Sequence, residues 1–229
     1  MTERREPFLP WLRWNLEKQS FTSWELVLVA SDDDDLSALR GLEVRSLTVP
    51  VGTPVPVKRN LALQLASAPS IAWFDDDDWQ HPERLHQICL ARDAGAEIVG
   101  SRESWFVSLQ GRARHYSTPA AVIFNGAGFA TSLARNVVFN ERLLRRSDTR
   151  WLTELVGAAG ADRISISDLV LSCWMCHPTN LSNPAHRGRF PDSIAAARRS
   201  IGSEAWDGTD EQIRQLARRL SVSAPAIES

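Results

Sequence analysis

The chain has 229 residues, 43% hydrophobic and 24% charged, which suits one large globular domain or one domain with a helical appendage. Its 26 basic and 28 acidic side chains leave a net charge of −2, which argues against a nucleic-acid partner held by whole-molecule charge. No run reaches the apolar length of a membrane span, residues 1–6 are no signal peptide, and Cys89, Cys173 and Cys176 are too few for a disulfide framework, so a cytoplasmic protein is expected.

Residues 8–19 place Phe8, Leu9, Leu12, Trp14 and Leu16 at spacings compatible with a helix. Residues 24–30 read as a short buried strand. Asp32, Asp33, Asp34 and Asp35 follow it and read as a turn leading into a short helix. Residues 42–49 alternate apolar and polar and predict a second strand, 50–56 form a Gly/Pro-rich loop, and 57–67 predict a helix. Residues 70–74 are a strand that runs directly into Asp75, Asp76, Asp77 and Asp78. A helix over 82–94 starts with Pro82 near its first turn and is ended by Gly95, and 97–100 is again strand-like. This alternation predicts a parallel, doubly wound sheet.

The middle, residues 105–139, holds short strand-like pieces such as 121–124, and 149–159 predicts a helix. Cys173 and Cys176 have C-x-x-C spacing inside an apolar run with no second pair, and read as buried core thiols. Residues 191–199 and 210–220 predict Arg-rich helices, and 221–229 a frayed tail.

Four adjacent carboxylates repel one another and gain little from packing. At the end of a buried strand they offer the hard oxygen ligands that Mg²⁺ or Mn²⁺ prefers, usually alongside substrate phosphates. A strand's carboxyl end is also where open α/β sheets bind ligands. A solvated acidic loop is the plainer alternative, and residues 32–35 fit it. Trp73, Phe74 and Trp79 around residues 75–78 instead point to a partly buried site.

An ordered series of motifs carries a resemblance. Phe8-Leu9-Pro10 leads to Trp24-Glu25-Leu26-Val27-Leu28-Val29. Lys58-Arg59-Asn60 comes next, then Trp73-Phe74 with the four aspartates, Trp79 and Pro82-Glu83-Arg84-Leu85. Phe139-Asn140-Glu141 precedes Ser147-Asp148-Thr149-Arg150-Trp151, and His177-Pro178-Thr179-Asn180-Leu181-Ser182-Asn183 closes the series. Over about residues 7–183 the chain resembles a family 2 glycosyltransferase of the GT-A type. The resemblance implies an α/β, Rossmann-like GT-A fold: a mostly parallel central sheet flanked by helices. It implies a transferase domain over residues 1–189 and a small C-terminal helical extension over 190–229. The family's first buried strand has no counterpart in residues 1–6, Ala30-Ser31 replace its usual Asp pair, and Ser147 replaces a common Glu.

The implied activity is metal-dependent transfer of a sugar from a nucleotide-diphosphate donor to a hydroxyl or similar nucleophile, with Mn²⁺ or Mg²⁺; the sequence does not identify the acceptor. Asp75 and Asp76 would lie at the donor, Asp77 would be the principal metal ligand with Asp78 as helper, and His177 a further metal or phosphate contact. Lys58 and Arg59 would meet the nucleotide from a helix N-terminus. Asp148 would be the general base, a single carboxylate that implies inversion; a helix N-cap is its alternative role. Arg142, Arg145, Arg146 and Arg150 read as a solvated face around it, with an anionic acceptor site as the alternative. A sugar-phosphate nucleotidyltransferase is disfavoured by the lack of glycine in residues 1–19. A non-catalytic partner subunit of the same fold is the remaining reading, and homo-oligomerisation is left open.

Overall fold

The structure is a computed structural model and describes residues 5–119, 121–143, 146–178 and 190–220. The chain opens with α1 (Leu9–Glu17), β1 (Leu26–Ser31), a 3-10 turn at Ser37–Leu39, β2 (Val44–Val49), α2 (Val55–Leu65) and β3 (Ser70–Ala72). Next come β4 (Trp79–Gln80), α3 (Arg84–Asp93), β5 (Ile98–Gly100), β6 (Glu103–Ser108) and β7 (Arg112–Ser117). The remainder is β8 (Gly128–Ala130), α4 (Thr131–Asn136), α5 (Ser147–Ala159), β9 (Ile164–Ile166), β10 (Ser172–Cys176), β11 (Asp192–Ser193), α6 (Ile194–Ile201) and α7 (Thr209–Arg219).

The strands form a parallel β1–β2 pair, a sheet ordered β3-β8-β5-β9 and a sheet ordered β11-β7-β6-β10-β4. The α/β class agrees with the sequence, but the expected predominance of parallel pairing holds only in part. β1/β2, β5/β9 and β6/β10 are parallel, whereas the other pairings are antiparallel. Two local causes account for this. β7 returns from β6 through a tight turn in which the Gly111 N–H reaches the Ser108 carbonyl at 3.1 Å, and so short a connection permits only an antiparallel neighbour. β8 enters antiparallel between β3 and β5. The strand expected at 121–124 is irregular chain running into a 3-10 turn at Phe124–Gly126.

β1 and β3 are not bonded to one another. A cavity of about 380 Å³ separates them, walled by Leu26, Leu28, Ile71 and Trp73 and by Leu9 and Leu12 of α1. Among the described residues no strand occupies this gap, and the two sheet edges are not joined. Glu25 closes the far end by accepting the Ala68 N–H at 2.8 Å.

α1 and the residue just past its C-cap are fastened to the segment after β3 by buried side chains set four residues apart. The Trp11 indole N–H and Asn15 amide donate to the Asp78 carbonyl at 2.9 and 3.3 Å, Asn15 Oδ1 accepts the Gln80 N–H at 2.8 Å, and the Gln19 amide donates to the His81 carbonyl at 3.0 Å. The C-terminal helices share the core beneath that segment. Ile213, Leu216 and Ala217 of amphipathic α7 cluster with Ile194 and Trp206, and with Trp11, Trp79 and Trp105. A second core packs α4 and α5 on the β3-β8-β5-β9 sheet around Phe129, Trp151 and Leu155. Among the described residues no helix is long and apolar enough to cross a membrane.

Candidate functional site

The site is built on the turn that follows β3. Arg84, fully buried, donates to the carbonyls of Trp73 at 3.0 Å and Ala127 at 2.9 Å, and lies over the Phe74 ring at 4.7 Å. Burial pushes its guanidinium down to about 9, against the opposing pull of Asp75 and Asp78. These bonds fix where the chain turns, and the Asp78 N–H then closes on the Asp75 carbonyl at 3.3 Å.

The four aspartates take different roles. Asp78 is buried; its Oδ1 accepts the Met175 N–H at 3.0 Å and its Oδ2 accepts the Asn125 amide. Burial, with the charges of Asp77 and Asp75, raises its carboxyl well above the usual range. Both oxygens of this expected metal-binding helper are directed into the fold, where Asp78 braces the turn against β10.

Asp77 faces the other way. Its Oδ2 accepts Arg5 Nη2 at 2.8 Å and lies 3.2 Å from His177 Nε2. Burial alone would raise its carboxyl, but the His177 hydrogen bond and the Arg5 charge outweigh it and hold the group at about 2. The His177 ring packs on Phe8 with centroids 4.7 Å apart. Asp76 meets the same guanidinium with both oxygens, Oδ2 accepting Arg5 Nε at 2.7 Å and Oδ1 accepting Nη2. Asp75 lies 3.4 Å from Arg59 and accepts the Asn125 amide at 3.1 Å. Burial raises the carboxyls of Asp75 and Asp76, each partly restrained by its arginine.

Among the described residues no group of three or more His, Cys, Asp or Glu side chains forms a complete cation cage. Asp77 beside His177 is nevertheless the kind of partial donor set that Mn²⁺ or Mg²⁺ uses when phosphate oxygens supply the rest of its shell. The residues present therefore fit such an ion as a site completed by substrate.

Lys58 and Arg59 were expected at a helix N-terminus. α2 starts earlier, at Val55 after the Pro54 cap, with Pro56 in its first turn, so the Lys58 N–H is already bonded to the Pro54 carbonyl at 3.1 Å. The backbone N–H of Lys58 is thus not free, and the two side chains reach Ser31 and Asp75. Lys58 Nζ donates to Ser31 Oγ at 2.8 Å, and burial lowers its ammonium, partly offset by Asp34. The Arg59 guanidinium carbon sits 4.8 Å from the Phe124 ring, 5.5 Å from Phe139 and 5.8 Å from Trp73. This aromatic cage holds the charge beside Asp75. Asn60 clamps the Phe139 backbone, accepting its N–H at 2.8 Å and donating to its carbonyl at 3.0 Å.

Asp148 lies in the first turn of α5, two residues after Arg146, whose φ of 56° makes the left-handed entry to the helix. It is therefore not the N-cap. Its Oδ1 accepts the adjacent Thr149 N–H at 2.7 Å, and its charge adds to those that raise the Asp75 carboxyl. Arg150 pairs with Glu154 at 2.9 Å, and Arg142 and Arg146 are exposed. Arg145, residues 179–183 of the final motif and the tail 221–229 lie outside the described residues.

The first acidic run builds a local turn, as expected. Asp34 accepts the Ser31 N–H at 2.7 Å and Asp35 the Ser37 N–H at 2.8 Å. Cys173 and Cys176 are buried free thiols; burial raises both, Cys176 to about 12. Sequence reasoning missed Arg5, Asn125 and the Asn15–Gln19 pair. Only the last left a signal, two amides four residues apart on the apolar stripe of a helix.

No protein-family model matches the sequence, and no curated relative does. Solved structures do match. Residues 1–349 of S. aureus TarS in complex with UDP-GlcNAc align over 94% of this chain and 70% of that one, at 17% identity and a TM-score of 0.61. Mannosyltransferase PcManGT from Pyrobaculum calidifontis, in complex with GDP-Man and Mn²⁺, aligns over 95% and 71% at 16% identity and a TM-score of 0.60. The chain has the GT-A-type glycosyltransferase fold.

Proposed function

We propose that the protein is a metal-dependent, inverting glycosyltransferase that moves a sugar from a nucleotide-diphosphate donor to an acceptor hydroxyl or similar nucleophile. The observation that carries the reading is convergence. Lys58, Arg59, Asp75 and Asp76 all line the cavity beside β1 and β3, and Asp77 and His177 adjoin them. The TarS and PcManGT complexes, with UDP-GlcNAc and with GDP-Man and Mn²⁺, support the donor class.

Asp77 with His177 would hold the cation, whose chemistry is to neutralise the leaving diphosphate. Asp75 and Asp76 orient the donor. Arg59, fixed by its aromatic cage, meets the phosphates, and Lys58 adds positive potential at the end of β1. Asp148 accepts the proton of the acceptor hydroxyl as it attacks the anomeric carbon. One base and direct displacement give inversion.

Calorimetric titration with UDP and with GDP, with and without Mn²⁺, tests this reading. One of the two should bind, more tightly with Mn²⁺, and Asp77→Ala should remove the Mn²⁺ dependence while the fold is kept. Nucleotide affinity indifferent to chelator would refute the metal-dependent reading.

A further inference from the structure

Arg5 forms the most heavily paired contact of the acidic turn. Its guanidinium spans two neighbouring carboxylates, engaging both oxygens of Asp76 and Oδ2 of Asp77, with only a tenth of its side chain exposed. The Phe8 ring backs it at 4.2 Å, and Phe8 in turn packs on His177. The backbone is closed as well, since the Phe8 N–H donates to the Arg5 carbonyl at 2.9 Å. Arg5, Phe8, His177 and Asp77 therefore make a ring of contacts that ties the segment before α1 to the acidic turn. The Asp77 oxygen that Arg5 occupies is the one that His177 also faces.

We propose that Arg5 is the resident counter-ion of this turn, and that a divalent cation binds Asp77 by displacing the Arg5 guanidinium. This rests on the reading of Asp77 as the metal-binding carboxylate. Two cations cannot share one carboxylate oxygen without repulsion, so the ion and Arg5 compete. Their competition is reciprocal: by as much as Arg5 weakens the ion, the ion loosens Arg5. The segment ahead of α1 thereby sets the metal affinity of the donor site, and its position changes when the site loads.

Free Mn²⁺ counted by electron paramagnetic resonance, with UDP or GDP present to complete the site and a protein-free nucleotide control subtracted, tests the proposal without any turnover assay. Arg5→Gln should bind Mn²⁺ about tenfold more tightly than the parent, a modest coupling for groups in contact. Asp77→Asn should abolish that binding in both backgrounds. Equal Mn²⁺ affinity in Arg5→Gln and parent, lost in Asp77→Asn, would overturn this proposal and leave the metal reading standing. Absence of Asp77-dependent binding in every variant would overturn both. If Arg5→Gln fails to fold, the parent alone decides. Saturation with Mg²⁺ should speed amide exchange at Phe8 by about tenfold as its bond to the Arg5 carbonyl opens, and unchanged Phe8 protection while Mg²⁺ binds would overturn the displacement.

Discussion

Asn60 is one residue from Arg59 and holds the segment that walls its cage. Asn60→Ala removes the acceptor for the Phe139 N–H at 2.8 Å and the donor to the Phe139 carbonyl at 3.0 Å, at a residue only 2% exposed. It also removes a 3.0 Å bond to Glu141, which is exposed and contributes little. Each orphaned buried backbone group costs about 1–3 kcal/mol, so losing both should destabilise by about 2–6 kcal/mol. At about 2–4 °C per kcal/mol for a domain of this size, thermal unfolding followed by circular dichroism should show a midpoint lower by roughly 4–24 °C. Glu141→Ala is the control and should shift it by less than about 2 °C. A clamp worth this much predicts that the two variants differ widely. Equal shifts, or an Asn60→Ala midpoint within about 2 °C of the parent, would refute the argument that the Phe139 backbone depends on Asn60.

Three further outcomes follow from the same geometry. Arg59→Ala should weaken nucleoside diphosphate binding by about 1.5–3 kcal/mol in calorimetry, the worth of a lost charge-assisted bond, and unchanged affinity would return Arg59 to a purely structural role. Asp148→Asn can still accept the Thr149 N–H, so donor and metal binding should stay near normal while turnover falls by about 10²–10⁴; near-normal turnover would reduce Asp148 to a helix-terminus residue. Asp78 has a folded-state carboxyl raised above the ordinary value of about 4, so the folded chain holds that proton longer than the unfolded one. Its contribution is fully present below about pH 4 and is lost as pH rises through the raised value; Asp78→Asn should flatten that fall in urea midpoints between pH 4 and 8, and parallel profiles for parent and variant would contradict it.

Much of the site was legible because its signals are local. Residues 70–78 pair a strand with carboxylates, and Trp73 and Trp79 mark that run as buried, whereas residues 32–35 lack such flanks and build a turn whose Asp32 accepts the Val51 N–H at 3.1 Å. The start of α2 was also readable, since Pro54 and Pro56 mark a helix opening before Lys58, and overlooking them put Lys58 and Arg59 at the wrong place in the helix. The division of labour among the aspartates was not legible. It depends on Asn125 and Met175 holding Asp78, and on Arg5 holding Asp76 and Asp77, partners 47 to 97 residues away in the chain. Strand direction was equally hidden: Gly128–Ala130 is three residues long and carries no periodicity, yet its antiparallel entry decides the character of its sheet.

The central claim is most directly tested by following water as a stand-in acceptor. The protein is incubated with Mn²⁺ and α-linked UDP- and GDP-sugars, and the anomer of the released sugar is read by proton NMR before it equilibrates. Slow, chelator-sensitive release of a β-sugar from one of these donors, lost in Asp77→Ala, is the predicted result. Release of the α-anomer, or release that proceeds unchanged with chelator, would contradict the account.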